Sequence, residues 1–309
     1  MEPAIQLDHV WKKINGKVII KDVTLSMYPG EVFGLLGPNG AGKTTTIRMM
    51  VGLMKATEGT VKISGVNLQS DFEEAIKNIG AVVENPEMYG YLTGYQNLKH
   101  YQRMSIDVTN ERLEEVIKLV GLEARIHEKV STYSLGMRQR LGLAQALLHK
   151  PNVLILDEPT NGLDPAGIRE IRDYLRRITV EEQICIVVSS HLLAEMEKMC
   201  DRIAIIQKGE IIQVDKIKDF MQATTNEWFI EIKPIEKAIK VINADDQTTT
   251  VKTFEEGLII KLEKKNVPKL IEDLVSNGVS IFEVKAAKQK TLEDQFLTLT
   301  GGEDSETIQ

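Results

Sequence analysis

A mixed α/β fold, with an antiparallel edge, an inserted helical layer and a small α+β domain behind it, is predicted by three features of this 309-residue chain. First, the runs Val32 to Leu36, Val153 to Leu156 and Ile184 to Val188 are continuously apolar, as strands of a parallel sheet covered on both faces are. Second, between about residues 86 and 150 the β-branched runs give way to helical spacing, with Leu113, Val116, Ile117 and Val120 on one face. Third, after Asp215 the pattern changes to short strands separated by turn residues, which marks a second domain.

Taken in order, Ile5 to Val10, Val18 to Ile20 and Val23 to Met27 read as strands with turns at Asn15-Gly16 and Pro29-Gly30, an antiparallel edge leading into the buried strand Val32 to Leu36. A helix is expected from Thr44 to Met54, then a strand pair around Val61 to Ile63. A helix near Ala166 to Ile178 joins the two later apolar strands. In the tail, strands are expected at Trp228 to Ile232, Thr248 to Phe254, Leu258 to Leu262 and Ile281 to Val284, with helices at Val267 to Val275 and Leu292 to Leu299. The domain boundaries read from this are 1–220, with the helical insertion at about 86–150, then 221–300, and a disordered acidic tail at 301–309.

Composition limits the function classes. With 42% hydrophobic and 27% charged residues the chain falls among ordinary globular proteins. No run approaches the roughly 18 consecutive apolar residues a spanning helix requires, and the N-terminus lacks the pattern of a secretory signal, so a cytosolic location is expected. The net charge of −7 works against a nucleic-acid partner, because binding a phosphate backbone relies on clustered cations. Cys185 and Cys200 sit in apolar or helical contexts and are expected to be buried thiols.

The segment Gly37-Pro38-Asn39-Gly40-Ala41-Gly42-Lys43-Thr44 follows an apolar strand and precedes a helix, the context in which a phosphate-binding loop works. Glycines let successive backbone N–H groups turn inward around phosphate, and the helix N-terminus adds positive potential. Lys43 is then placed for the β and γ phosphates, Thr44 for Mg²⁺, and Thr45 for a further hydroxyl contact. Downstream, Val153-Leu154-Ile155-Leu156-Asp157-Glu158-Pro159 is a strand ending in two carboxylates. Asp157 is expected to hold Mg²⁺ through water, and Glu158 to polarise the water that attacks the γ-phosphate of ATP.

Between these two motifs lies Tyr133-Ser134-Leu135-Gly136-Met137-Arg138-Gln139-Arg140, and after them Asn161-Gly162-Leu163-Asp164-Pro165 and Val188-Ser189-Ser190-His191. In this order the set resembles the ABC ATPase family over about residues 4 to 220. The octet looks like the family's LSGGQ signature, keeping Ser134 and Gly136 but carrying Tyr133, Leu135 and Met137 at the remaining places. The resemblance implies a P-loop ABC ATPase domain that binds ATP and Mg²⁺ and hydrolyses ATP. It implies that Ser134 and Gly136 contact the γ-phosphate held by a second copy, so that the active form is a homodimer. It also implies that His191 is the switch histidine linking that phosphate to the opposite subunit, and that separate transmembrane permease subunits are driven through the helical layer.

Two positions depart from the family pattern. Val82-Val83-Glu84-Asn85-Pro86 offers Glu84 where the family carries a metal-sensing glutamine, and Glu84 is taken as a further metal ligand. Ile14 stands where an aromatic ring stacks on adenine, while Trp11, three residues earlier on a strand, is assigned to the core. The signature variant, the Glu84-Asn85-Pro86 segment and Thr291-Leu292-Glu293-Asp294-Gln295-Phe296 resemble the branch containing bacitracin-resistance and lantibiotic-immunity exporters. The expected function is thus an ATP-hydrolysing transporter subunit, peripheral on the inner face of the cell membrane, exporting a substrate such as a peptide antibiotic. The competing expectation, a soluble ABC ATPase acting on ribosomes or DNA, is opposed by the acidic balance and by the presence of one cassette rather than two.

Overall fold

The computed structural model describes residues 2–84, 86–105, 108–190, 192–222, 227–243, 249–254 and 256–286, together with Leu292 and Phe296. The chain divides into two compact units, Met1–Ile217 and Lys218–Gln309.

Unit 1 begins with an antiparallel sheet in the order β2-β1-β4-β5, made of β1 (Ile5–Ile14), β2 (Lys17–Met27), β4 (Glu58–Ile63) and β5 (Val66–Asn67). Asn15 and Gly16, with φ of 49° and 79°, close the β1–β2 hairpin, a turn whose left-handed residues match the twist of the flanking strands. The second sheet runs β10-β9-β3-β8-β7-β6, from β3 (Val32–Leu36), β6 (Ile79–Val82), β7 (Val153–Asp157), β8 (Cys185–Ser190), β9 (Arg202–Gln207) and β10 (Glu210–Lys216). All its neighbours pair in parallel except β10, which returns antiparallel along β9. Residues of β3, β7 and β8 are buried on both faces, the reason these strands read as unbroken apolar runs.

Helix α1 (Lys43–Met50) follows the glycine-rich loop and is shorter than the sequence suggests, because the chain turns at Gly52 with φ 74°. After the short α2 (Phe72–Ile76), the helical layer comprises α3 (Gly94–Met104), α4 (Asn110–Leu119) and α5 (Leu135–Leu147). Each of these three starts on a hydroxyl N-cap: Thr93 with a reciprocal bond to Gln96, Thr109, and Ser134. Such caps satisfy backbone donors the first turn leaves open. Asp164 caps α6 (Pro165–Glu182) in the same way, with Pro165 at the position where its missing N–H costs nothing. Helix α7 (Leu193–Met199) leads into β9. Cys185 and Cys200 are buried free thiols, and burial raises both above the ordinary thiol range.

Trp11 departs from expectation. It is half-buried on β1 and lies outside the hydrophobic cluster formed by Ile5, Leu7, Val10 and their neighbours. His9, at φ 48°, interrupts the strand, so the pairing register shifts between Leu7 and Val10 and the simple alternation that put Trp11 inside is broken.

Unit 2 is a βαββαβ arrangement: β11 (Glu227–Lys233), α9 (Ile235–Asn243), β12 (Thr249–Thr253), β13 (Gly257–Lys261), α10 (Val267–Ser276) and β14 (Ser280–Ala286), after α8 (Ile217–Gln222). Its antiparallel sheet has the order β12-β13-β11-β14. Ile230, Ile232, Leu258, Ile260, Ala238, Leu270 and Leu274 form its own core. Helix α9 is absent from the sequence reading, since its apolar positions sit among lysines directly after Pro234. The expected final helix falls mostly outside the described residues, of which Leu292 and Phe296 are helical; the expected acidic tail lies wholly outside them.

Because unit 2 closes its own core, Leu270→Ala should lower its stability by about 2–5 kcal/mol while leaving ATP affinity unchanged. Urea unfolding followed by Trp228 fluorescence in a Trp11→Phe background, with calorimetric ATP titration in parallel, checks both halves.

Candidate functional site: a phosphate cleft at the ends of parallel strands

The cleft forms where β3 and β7 end. Gly37 leaves β3 so close to β9 that a Cβ added there would lie 2.3 Å from the Ile206 carbonyl oxygen, and one added at Gly42 would lie 2.6 Å from Ile20 Cδ1. Backbone leaves room only for glycine at Gly37, whereas at Gly42 the neighbour is the end of a flexible side chain. Gly40 and Gly42 also hold φ of 77° and 114°. Gly42 N-caps α1 with no side chain bonded there, leaving the first N–H groups of the helix open toward the loop.

Gly209 braces the loop from behind: its N–H donates to Ala41 O at 2.9 Å, and its carbonyl accepts from Lys21 N–H at 2.8 Å. A Cβ at Gly209 would lie 2.1 Å from Ile19 O. The sequence reading did not reach this residue; its signal was the Lys208-Gly209 pair between two β-branched runs.

Lys43 is only 7% exposed, and its Nζ donates to Gly37 O at 2.7 Å and Pro38 O at 3.3 Å. Burial lowers the pKa of its ammonium, and the Coulomb attraction of Glu158 and Asp157 works in the opposite direction. Thr44 and Thr45 line the same cleft with Pro38, Asn39 and Gly40, and across from them stands Glu158. The cavity holds about 440 Å³. Ile19 of β2 and Asn161 also line it, neither identified from sequence as a site residue.

The carboxylates are placed by the register of β7 against β8, which sets Asp157 beside Ser189. The Ser189 hydroxyl donates to Asp157 Oδ1 at 2.5 Å and accepts the Glu158 N–H at 3.0 Å, so one buried side chain fixes both. Glu158 takes φ 52°, a left-handed conformation that costs a non-glycine residue about 1–3 kcal/mol and is common at functional sites. Ser189 was quoted in the sequence motif, but its bridging role depends on strand register and was not foreseen.

Three expected site residues stand apart from this cleft. Ser134, exposed at the start of α5, accepts the Met137 N–H at 3.3 Å, and neither it nor Gly136 lines the cleft of its own chain. Glu84, at φ 68°, pairs with Arg48 Nη2 of α1 at 2.5 Å and is also absent from the lining. Arg48, rather than a cleft group, answers its charge. His191 lies outside the described residues.

A glycine loop leaving a parallel strand, an open helix N-terminus, a buried lysine and a strand-end carboxylate pair together define a nucleoside-triphosphate-binding P-loop protein. Comparison narrows this. The family model for the ABC transporter matches residues 20–161. The chain is 54% identical to the uncharacterized ABC transporter ATP-binding protein YhcH of Bacillus subtilis (strain 168), over 100% of this chain and 99% of that one. It is 33% identical to the bacitracin transport ATP-binding protein BcrA of Enterococcus faecalis, over 98% of both chains. A solved dimeric ATP-binding cassette in a post-hydrolysis state, bound to ADP and phosphate, matches with a TM-score of 0.61 at 27% identity, over 69% of this chain and 98% of that one. The chain belongs to the ABC transporter family as an ATP-binding, ATP-hydrolysing subunit.

Ser189→Ala removes the hydroxyl that both orders Asp157 and accepts the Glu158 N–H, leaving a part-buried donor and a buried carboxylate without this partner. We expect a loss of about 1–3 kcal/mol in folding stability together with weakened Mg-ATP binding, read by urea denaturation and calorimetry on the same preparation.

Proposed function

We propose that this chain is the motor of an exporter, in which two copies close over ATP and drive separate permease subunits. The observation that carries this reading is the division of the site. The phosphate cleft of one chain is lined by Pro38, Asn39, Gly40, Gly42, Lys43, Thr44 and Thr45, with Gly37 and Ala41 in the same loop, whereas Ser134 and Gly136 present an exposed helix start that its own cleft does not use. An exposed, capped helix N-terminus carrying Ser134 suits the γ-phosphate bound by a second copy.

In this arrangement the open N–H groups of α1 and the Lys43 ammonium bind the β and γ phosphates. Thr44 and Asp157 would hold Mg²⁺, which would supply charge neutralisation along the phosphate chain. The donor set fits: a hydroxyl beside the loop and a buried carboxylate already oriented by Ser189. Glu84 is held by Arg48 through Oε1, away from the cleft lining, so it would have to turn toward the metal to join it. Glu158 accepts a hydrogen bond from the attacking water and polarises it; the γ-phosphorus gains that oxygen, the bridging bond to ADP breaks, and phosphate leaves. His191 is assigned to the opposite-subunit link by sequence alone.

Among the described residues no helix is long and apolar enough to cross a membrane. We therefore infer a peripheral position at the inner face of the cell membrane, held by the permease. The bacitracin transport relative supports a peptide-antibiotic substrate and a role in antibiotic resistance. The net charge of −7 opposes action on ribosomes or DNA.

Glu158→Gln keeps the size and reach of the side chain but removes the carboxylate. We expect ATP binding to persist, phosphate release to fall by at least a hundredfold, in line with general-base contributions of roughly 10²–10⁴, and an ATP-dependent dimer to accumulate on sizing chromatography. Wild-type phosphate release would remove Glu158 from this role; lost hydrolysis without a dimer would count against closure of two copies.

A further inference from the structure

A second cavity, about 730 Å³, lies in unit 1 between the end of α2, the α3–α4 connection and the end of α5, and shares no lining residue with the phosphate cleft. This volume is within the roughly 300–1,000 Å³ typical of small-molecule pockets. Its walls differ from those of the phosphate cleft. Ile76, Met104, Val108 and Leu148 make them largely apolar. Around that apolar body stand Lys77, Arg112, His149 and Lys150, and among the described lining residues there is no carboxylate.

Arg112 gives the cavity its chemistry. It is only 6% exposed, although it carries a permanent charge. Nη2 donates to Leu147 O at 2.9 Å, and Nη1 forms an ion pair with Glu115 at 3.0 Å. Nε has no hydrogen-bond partner. A buried guanidinium donor left open is costly, and it is relieved by an acceptor entering the cavity. Lys77 is partly answered by Glu74 at 2.9 Å, whereas Lys150 is exposed and has no ion pair among the described residues. His149 bonds the Ile79 carbonyl through Nε2 at 2.9 Å.

We propose that this cavity binds an amphiphilic anion, a carboxylate or phosphate head on an apolar chain, with the head at Arg112 and Lys150 and the chain against Val108, Leu148 and Met104. A bare inorganic anion would leave the apolar walls without contacts, and a neutral amphiphile would leave Nε unpaired. The site also has a route to the motor. Arg112 ties α4 to the last turn of α5, which begins at Ser134, and His149 ties the exit of α5 to β6, the neighbour of the strand that ends in Asp157.

The test uses the full chain and four probes in calorimetric titration: octanoate, octyl phosphate, octanol and inorganic phosphate. The two amphiphilic anions should bind with one site per chain, and octanol and inorganic phosphate about tenfold or more weaker, the factor expected from losing one charge-assisted hydrogen bond. Lys150→Glu, at an exposed position, should weaken octyl phosphate by about the same factor, as should Arg112→Met where circular dichroism shows it folded. Equal binding of octanol and octanoate, no binding of either anion, or unchanged affinity in folded Lys150→Glu would each overturn the proposal. Co-sedimentation with phosphatidylglycerol vesicles separates the sources. Vesicle binding abolished by Lys150→Glu assigns a membrane lipid, and octyl phosphate binding without vesicle binding assigns a free amphiphile.

Discussion

The parallel register of β3, β8 and β7 is the constraint from which the phosphate cleft follows. Leu36 pairs with Ser190, and Ser189 pairs with Asp157, so the loop after β3 and the carboxylates after β7 emerge at the same edge of one sheet. A shift of one residue would turn Asp157 and Ser189 to opposite faces and separate the hydroxyl from the carboxylate it holds. Burial on both faces resists that shift, because every residue of β7 and β8 already faces packed side chains.

Around this sheet, close backbone approaches do what side chains cannot. Gly37 and Gly209 let β9, β2 and the phosphate loop come within distances that any Cβ would block, and Gly42 supplies a left-handed turn. The loop is thus shaped before nucleotide arrives, and its open N–H groups need little rearrangement to meet a phosphate. Lys43 is similarly held ready by the carbonyls of Gly37 and Pro38. The cost is local: a buried ammonium beside a left-handed Glu158, both supported by the surrounding sheet.

The helical layer meets the sheet through polar links as well as packing. Arg112 reaches the end of α5, and His149 reaches β6. Arg48 joins α1 to Glu84 just beyond β6. The first two ties connect the end of α5 to α4 and to β6, the neighbour of the strand that carries the carboxylates. Unit 2 is built on a separate principle, with an amphipathic pair of helices covering one face of its own antiparallel sheet.

What the sequence determined by itself was the set of local motifs. The phosphate loop, the strand ending in Asp157 and Glu158, and the helix beginning at Ser134 are contiguous in the chain, and each depends on composition and spacing within about ten residues. The buried strands β3, β7 and β8 were readable because two-sided burial leaves unbroken apolar runs. Strand β6 was not, since it is only four residues long. Tertiary structure decided the rest. Ser189 became the bridge through strand pairing, Gly209 became the brace through a hairpin folding back on the loop, and Trp11 left the core because His9 breaks the alternation of β1. The pairing of Glu84 with Arg48 and the cavity beside the buried, unpaired Nε of Arg112 likewise join residues far apart in the chain. Such contacts depend on register, backbone approach and burial, which are properties of packed elements and leave no periodic trace in any single segment.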